Sequence, residues 1–170
     1  MWNETAIQCF KDEAQALLDL IPKLNEDFDK AINLILDCKG KVLITGVGKS
    51  GHIGAKIAAT LSSTGTPSFY VSPLDLYHGD LGVINDGDVV IAISNSGYTD
   101  ELLRIVPSLN DRHIPIIGLS GNPTSLLAQH SYAHLNIAVE READPLNLAP
   151  TSSTTATLAM GDAIACCLVK

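Results

Sequence analysis

From Lys41 onward the chain alternates between short runs with no polar face and longer stretches with helical spacing. The runs are Val42–Thr45, Ser68–Ser72, Val89–Ser94, Ile114–Ser120 and Leu135–Val139, and most give way at once to Gly, Ser, Asn or Pro. Runs that are apolar on both faces suit strands buried inside a parallel sheet. Between them, Gly51–Ser63, Thr99–Asn110 and Ser125–His130 read as helices. Strands and helices alternating at intervals of roughly 20–25 residues predict βαβ units and an α/β fold. Before this region, Ala16, Leu17, Leu20, Ile21 and Leu24, then Ile32, Leu34, Ile35 and Leu36, recur at helical spacing around Pro22, which predicts two helices or one kinked helix. Gly40 is the expected helix stop. At the other end, Ser152–Val169 follows Pro150 and opens on Ser and Thr, as a capped helix would.

Composition narrows the function classes. At 170 residues, 46% hydrophobic and 18% charged, the chain suits one globular domain with a generous core. A net charge of -8 argues against nucleic-acid or anionic-membrane partners, which need a basic face. It leaves a phosphate ligand open, because a few aimed N–H groups and one lysine make a local positive field. Cys9, Cys38, Cys166 and Cys167 fit neither a zinc pattern nor a disulfide framework and read as reduced thiols. The first residues lack a basic region followed by an apolar run, and the longest apolar stretch, near Ala163–Val169, falls short of a membrane span. A cytoplasmic location is the expectation.

In an open α/β sheet, ligands bind beyond the carboxyl ends of the strands, where the strand order reverses. For a five-stranded sheet of order 2-1-3-4-5, that crevice lies between the first and third strands. The loops after those two strands are the most distinctive in the chain. The first is Gly46-Val47-Gly48-Lys49-Ser50-Gly51-His52, and the second is Ser94-Asn95-Ser96-Gly97-Tyr98-Thr99. In the second, hydroxyls and an amide crowd a turn that opens a helix, where unpaired N–H groups favour phosphate. The glycine spacing of the first matches a dinucleotide fingerprint, yet no acidic residue ends the second strand. It is not a Walker loop either, because Leu43 stands where the earlier glycine is required. After the fifth strand, Glu142 and Asp144 precede the hydroxyl-rich segment Thr151-Ser152-Ser153-Thr154-Thr155. Glu142 and Glu101 are candidate bases, and His78 sits in the specific loop Leu76-Tyr77-His78-Gly79-Asp80-Leu81-Gly82. His52, His113, His130 and His134 form no metal pattern and read as structural.

Several segments together resemble arabinose-5-phosphate isomerases. They are Gly46–Gly54, Ser63-Thr64-Gly65-Thr66-Pro67, His78–Gly82, Ala92–Gly97 and Pro145–Leu158, and the likeness spans nearly the whole chain. The resemblance implies a three-layer, flavodoxin-like SIS (sugar isomerase) domain filling residues 1–170, with a five-stranded parallel sheet and helices on both faces. It implies a homo-oligomer, a tetramer in the family's usual form, and no cofactor or metal. The implied reaction interconverts D-ribulose 5-phosphate and D-arabinose 5-phosphate and feeds Kdo and lipopolysaccharide synthesis. Carried over by motif, Ser50, Ser94, Asn95, Ser96 and Thr99 hold the phosphate, with Thr151, Ser152 and Ser153 nearby. Lys49, His78, Glu101 and Glu142 match positions that the family uses in its active site. Two departures stand out. Tyr98 follows the Ser-x-Ser-Gly turn where many relatives have Glu. The sequence also stops at Lys170, before the Ser-His-Pro-Gly-Gly segment, with its late histidine, and the paired CBS domains of many relatives.

Aldose–ketose isomerisation moves a proton between C1 and C2 through an enediol. It needs a base, an electrophile and a remote anchor. Glu142 is the favoured base with Glu101 second, and partial burial is expected to raise the base's pKa. Lys49 would stabilise the enediolate oxygen, and His78 would shuttle protons or assist ring opening. A non-catalytic sugar-phosphate sensor would need only the serine-rich cradle. A dinucleotide-binding domain would rest on the glycine spacing alone.

Overall fold

The computed structural model describes residues 1–169. Val42–Gly46 form β1, Ser68–Tyr70 β2, Val89–Ile93 β3, Ile116–Ser120 β4 and Ala133–Asn136 β5. They make one parallel sheet in the order β2-β1-β3-β4-β5, as the sequence predicts. Every residue of β1, β3 and β4 is buried, which is why these runs carry no polar face.

Among the described residues, eight α-helices cover the sheet: α1 (Trp2–Leu18), α2 (Glu26–Asp37), α3 (Lys49–Ser63), α4 (Pro73–Tyr77), α5 (Asp100–Leu103), α6 (Val106–Asp111), α7 (Leu126–Gln129) and α8 (Ser152–Leu168). Alternate strand residues point to opposite faces, so the core falls into two layers. On one face Ile44, Ile91, Ile117 and Leu135 pack with Ile35 of α2, Ile57 and Leu61 of α3, and Ile164 of α8. On the other, Leu43, Val90 and Ile116 pack with Leu76, Leu102, Leu109 and Leu127 from α4 to α7. α3 and α8 approach so closely that a Cβ on Gly161 would collide with Ile57.

Several local expectations shift for identifiable reasons. Pro22 sits in a 3₁₀ turn, Ile21–Lys23, so the N-terminal segment is two helices, the second capped by Asn25 accepting from Asp27 N–H at 2.9 Å. The stretch from Thr99 to Asn110 divides into α5 and α6 because Pro107 has no N–H and its ring clashes with the preceding turn. β4 begins at Ile116, just past Pro115, and β2 ends at Tyr70. β5 lies earlier than its apolar run suggests. Ile137 N–H still donates to Ser120 O at 3.0 Å, and the backbone then leaves the ladder, with Ala138 N–H donating to the Asn136 side chain at 2.9 Å. A segment read as loop holds α4, whose N-terminus is capped by the Ser72 hydroxyl accepting from Leu74 N–H at 3.2 Å.

Gly40 serves a different purpose from a helix stop. Its backbone is not left-handed, and any Cβ there would collide with the Asp88 carboxylate. That carboxylate is buried and accepts from Lys41 N–H at 2.9 Å, Lys41 Nζ at 2.6 Å and Asn85 N–H at 2.7 Å. Burial alone would raise its pKa, but the lysine and the two amides outweigh burial and hold it below the ordinary carboxylate range. Asp88 thereby clasps the starts of β1 and β3 at the edge of the sheet opposite the strands' carboxyl ends.

Candidate active site

At the carboxyl ends of β1 and β3, where the strand order reverses, lies a cleft of about 360 Å³. Three segments wall it. The turn after β3 contributes Asn95, Ser96 and Thr99, the start of α3 contributes Lys49 and Ser50, and the start of α8 contributes Ser153 and Thr154. Two long helices thus direct their N-termini, with unpaired N–H groups and partial positive charge, at one hollow.

The turn after β3 is held rigidly. Ser94 is buried, and its hydroxyl accepts from Gly97 N–H at 3.0 Å and meets the Thr99 hydroxyl at 2.7 Å. It braces the turn from inside and is not part of the cleft wall. Gly97 has φ +73°, and a Cβ there would collide with Ser125. Ser96, whose hydroxyl accepts from Tyr98 N–H at 3.1 Å, lines the open side with Asn95.

The first glycine loop has separable roles. Gly48 takes φ +60° and forms the N-cap of α3, which starts at Lys49, two residues before the expected Gly51. A Cβ on Gly51 would lie 2.6 Å from the Tyr70 hydroxyl, which itself donates to Gly46 O at 2.7 Å. β2 therefore ends on a tyrosine that locks the loop, at the place where a dinucleotide site would hold an acidic residue. Lys49 is exposed on the cleft and makes no ion pair among the described residues.

Glu142 acts locally as the cap of α8. Its Oε2 accepts from Thr151 N–H at 2.8 Å, the Thr151 hydroxyl at 3.2 Å and Ser153 N–H at 3.1 Å. No side chain at the N-cap position itself does this. Burial pushes the Glu142 pKa up, but hydrogen bonds from the Ser153 side chain and from the amides of Thr151 and Ser153 prevail and lower it. This reverses the expectation of a raised value for the favoured base. The loop before α8 is also pinned. Asp144 accepts from Leu148 and Ala149 N–H at 2.8 and 3.1 Å, and Asn147, at φ 55°, accepts from Glu142 N–H at 2.7 Å. The Thr151 hydroxyl accepts from Ala143 N–H at 2.9 Å, and Ser152 is fully buried, its hydroxyl without a hydrogen-bond partner among the described residues.

The structure brings together Lys49, Ser50, Asn95, Ser96, Thr99 and Ser153 on one wall surface. Glu142, Thr151 and Ser152 stand just behind it at the start of α8, and Ser94 behind the turn. Glu101 lies in the first turn of α5, half-buried. His78 is exposed at the end of α4, its ring edge-on to Tyr77 at 5.4 Å. Neither lines the cleft, although α4 and α5 pack against each other. Val47, Ile53, Pro150, Thr154 and Thr157 also line it, outside the candidate site residues that the sequence indicates. Ile53 and Thr157 were legible in principle, since each lies one helical turn beyond Lys49–Ser50 or Ser153–Thr154.

No helix among the described residues is long and apolar enough to cross a membrane. The family model described as "SIS domain" matches residues 34–166. The chain is 52% identical over 169 residues to arabinose 5-phosphate isomerase KdsD of Yersinia pestis, covering 99% of this chain and 52% of that protein. It is 51% identical over 168 residues to the KdsD protein of Francisella tularensis, covering 97% of this chain and 51% of the relative. The chain thus spans about half the length of the curated relatives it matches. Among solved structures, Escherichia coli CFT073 c3406 in complex with arabinose 5-phosphate superposes with a TM-score of 0.93 at 41% identity, covering 97% of this chain and 88% of that one. Phosphoheptose isomerase GmhA from Neisseria gonorrhoeae, at 20% identity and TM-score 0.79, covering 98% of each chain, shares the fold. With the family model spanning most of the chain and relatives above half identity, the chain belongs to the SIS domain family.

Proposed function

We propose that this chain interconverts D-arabinose 5-phosphate and D-ribulose 5-phosphate through an enediol. The observation that carries this reading is the convergence of the Asn95–Ser96–Thr99 turn and the N-termini of α3 and α8 on one cleft that also holds Lys49. The naming of the half-identical relatives as arabinose 5-phosphate isomerases, and the sugar-phosphate complex of the similar structure, support the substrate.

In this mechanism the hydroxyls of Ser50, Ser96, Thr99 and Ser153, with Asn95 and the helix N–H groups, hold the phosphate. Ser94, Thr151 and Ser152 belong to the same cradle as its backing. Anchoring the tail lets binding energy distant from the reaction fix the carbonyl end. A base, Glu142 in preference to Glu101, takes the C2 proton of the aldose. The electron pair forms the C1–C2 double bond of a cis-enediolate, and its oxygen charge is met by Lys49. Return of a proton at C1, with transfer of the hydroxyl proton from O2 to O1, completes the ketose. His78, which does not line this cleft, would serve the hydroxyl transfer or ring opening across a subunit boundary. The reading includes a cytoplasmic setting and a role in supplying Kdo synthesis. It also includes assembly into a tetramer, in keeping with the apolar Trp2 and Phe10 that stand 83% and 71% exposed on α1.

The direct test is incubation with ribulose 5-phosphate in heavy water. Deuterium at the transferred carbon is the expected result. Binding without exchange would instead support a sensor module, and absence of binding would end both readings. The anchor is tested separately by Ser96→Ala. Binding of the phosphorylated sugar should weaken about tenfold, the scale of one lost charge-assisted hydrogen bond. Binding of free arabinose or ribulose should not change. Equal losses for both would show that the hydroxyl does not address the phosphate.

A further inference from the structure

The phosphate turn has a second supporting layer that ends on a histidine outside the cleft. The backbone of the turn is bonded to the segment after β4 at two points. Gly121 N–H donates to Asn95 O at 2.8 Å, and Leu127 N–H donates to Gly97 O at 3.2 Å. At a third point Gly97 presses so closely on Ser125 that no side chain fits between them. Ser125 is fully buried and caps α7 by accepting from Ala128 N–H at 3.2 Å. Its hydroxyl lies 3.4 Å from that of Ser120, which is also fully buried. The Ser120 hydroxyl donates to Asn122 O at 3.0 Å and meets His134 Nε2 at 2.7 Å.

His134 is itself fixed through its backbone. Its N–H donates to Asp27 Oδ2 at 3.0 Å, and Asp27 pairs with Lys30 at 2.9 Å. Burial lowers the His134 pKa against the pull of Asp27, which favours the neutral ring. β4 and α7, the elements bearing Ser120 and following Ser125, carry no charged residue. Because the Ser120 hydroxyl gives its one proton to Asn122 O, the ring meets it as the Nε2–H tautomer, donating to the hydroxyl oxygen. Removing the ring would leave Ser120 able to rotate, and the freedom would pass to Ser125 and the Gly97 contact.

We propose that His134 is a positioning residue for the phosphate turn, acting through Ser120 and Ser125 on Asn95–Gly97. This inference rests on the reading that the turn holds the substrate phosphate. The experiment titrates inorganic phosphate into the wild-type chain and into Ser96→Ala, His134→Leu and His134→Gln, and measures steady-state kinetics with ribulose 5-phosphate. His134→Leu should raise the phosphate Kd and the KM about tenfold, the scale of one buried hydrogen bond, with kcat within about twofold. His134→Gln, whose side-chain amide can reach the same hydroxyl, should restore both to within about threefold.

Unchanged phosphate affinity in His134→Leu, or a loss confined to kcat, would overturn the inference. Phosphate binding that ignores Ser96→Ala would instead overturn the underlying assignment of the turn. Should His134→Leu fail to fold, the wild-type chain still decides. Coupling is reciprocal, so saturating phosphate should shift the His134 ring nitrogen resonances. Resonances that do not move under saturation would sink the proposal.

Discussion

Replacing Glu142 by glutamine should lower kcat about 10²-fold, the usual scale for losing a general base, and leave the fold almost as stable as before. The two effects separate because the proposed base is also the cap of α8. As a cap it accepts from Thr151 and Ser153 N–H at 2.8 and 3.1 Å, and a glutamine carbonyl oxygen can accept the same bonds. As a base it must take a proton, which the amide cannot do. Glu142→Ala removes both duties and should cost about 1 kcal/mol of stability in addition. A kcat unchanged in Glu142→Gln but reduced in Glu101→Gln would move the base to α5.

The lowered Glu142 pKa also has a consequence in acid. A carboxylate whose folded pKa lies below its unfolded one stabilises the fold above the unfolded value, about 4.3. That contribution is lost as pH falls through the lower, folded value. Wild-type stability should therefore drop more steeply below about pH 4 than that of Glu142→Gln. Parallel curves in urea melts at pH 3 to 6 would contradict the capping assignment.

The second large effect is structural. Asp88→Ala should destabilise the chain by about 3–5 kcal/mol, the range for stripping one partner from a buried ion pair. For a chain this long that is a fall in Tm of roughly 10 °C. The Asp88 carboxylate satisfies Lys41 Nζ and two backbone N–H groups, and Gly40 is shaped around it. Asp88→Asn, which keeps an acceptor but no charge, should fall between. The clasp lies at the far edge of the sheet from the cleft, so kcat per folded molecule should stay within about twofold. A loss below about 1 kcal/mol would mean that the clasp contributes little.

The sheet was legible because its inner strands are short, wholly apolar and punctuated by glycine, and a parallel sheet covered on both sides buries both faces of such runs. Local errors came where the backbone's partners lie far away in sequence. β5 was framed by Leu135–Val139, but Asp27 holds His134 N–H and the Asn136 side chain draws Ala138 out of the ladder. α5 and α6 read as one helix until Pro107 divided them. For the site, the two loops at the switch point were visible from their glycines and hydroxyls alone. The division of labour within them was not, since Ser94 and Ser96 are alike in sequence but only Ser96 reaches the cleft wall.

What the sequence determined by itself is therefore the parallel α/β sheet and the two distinctive loops at its switch point, the strand order being what the family resemblance implied. The sheet follows from local chemistry, namely burial of both faces of its inner strands. Only the tertiary structure decided that Glu142 caps α8 and titrates low, that Gly40 yields to Asp88, and that a histidine on β5 stands behind the turn after β3 through two serines. Each of those depends on groups brought within hydrogen-bond distance by packing, and sequence spacing carries no record of that approach.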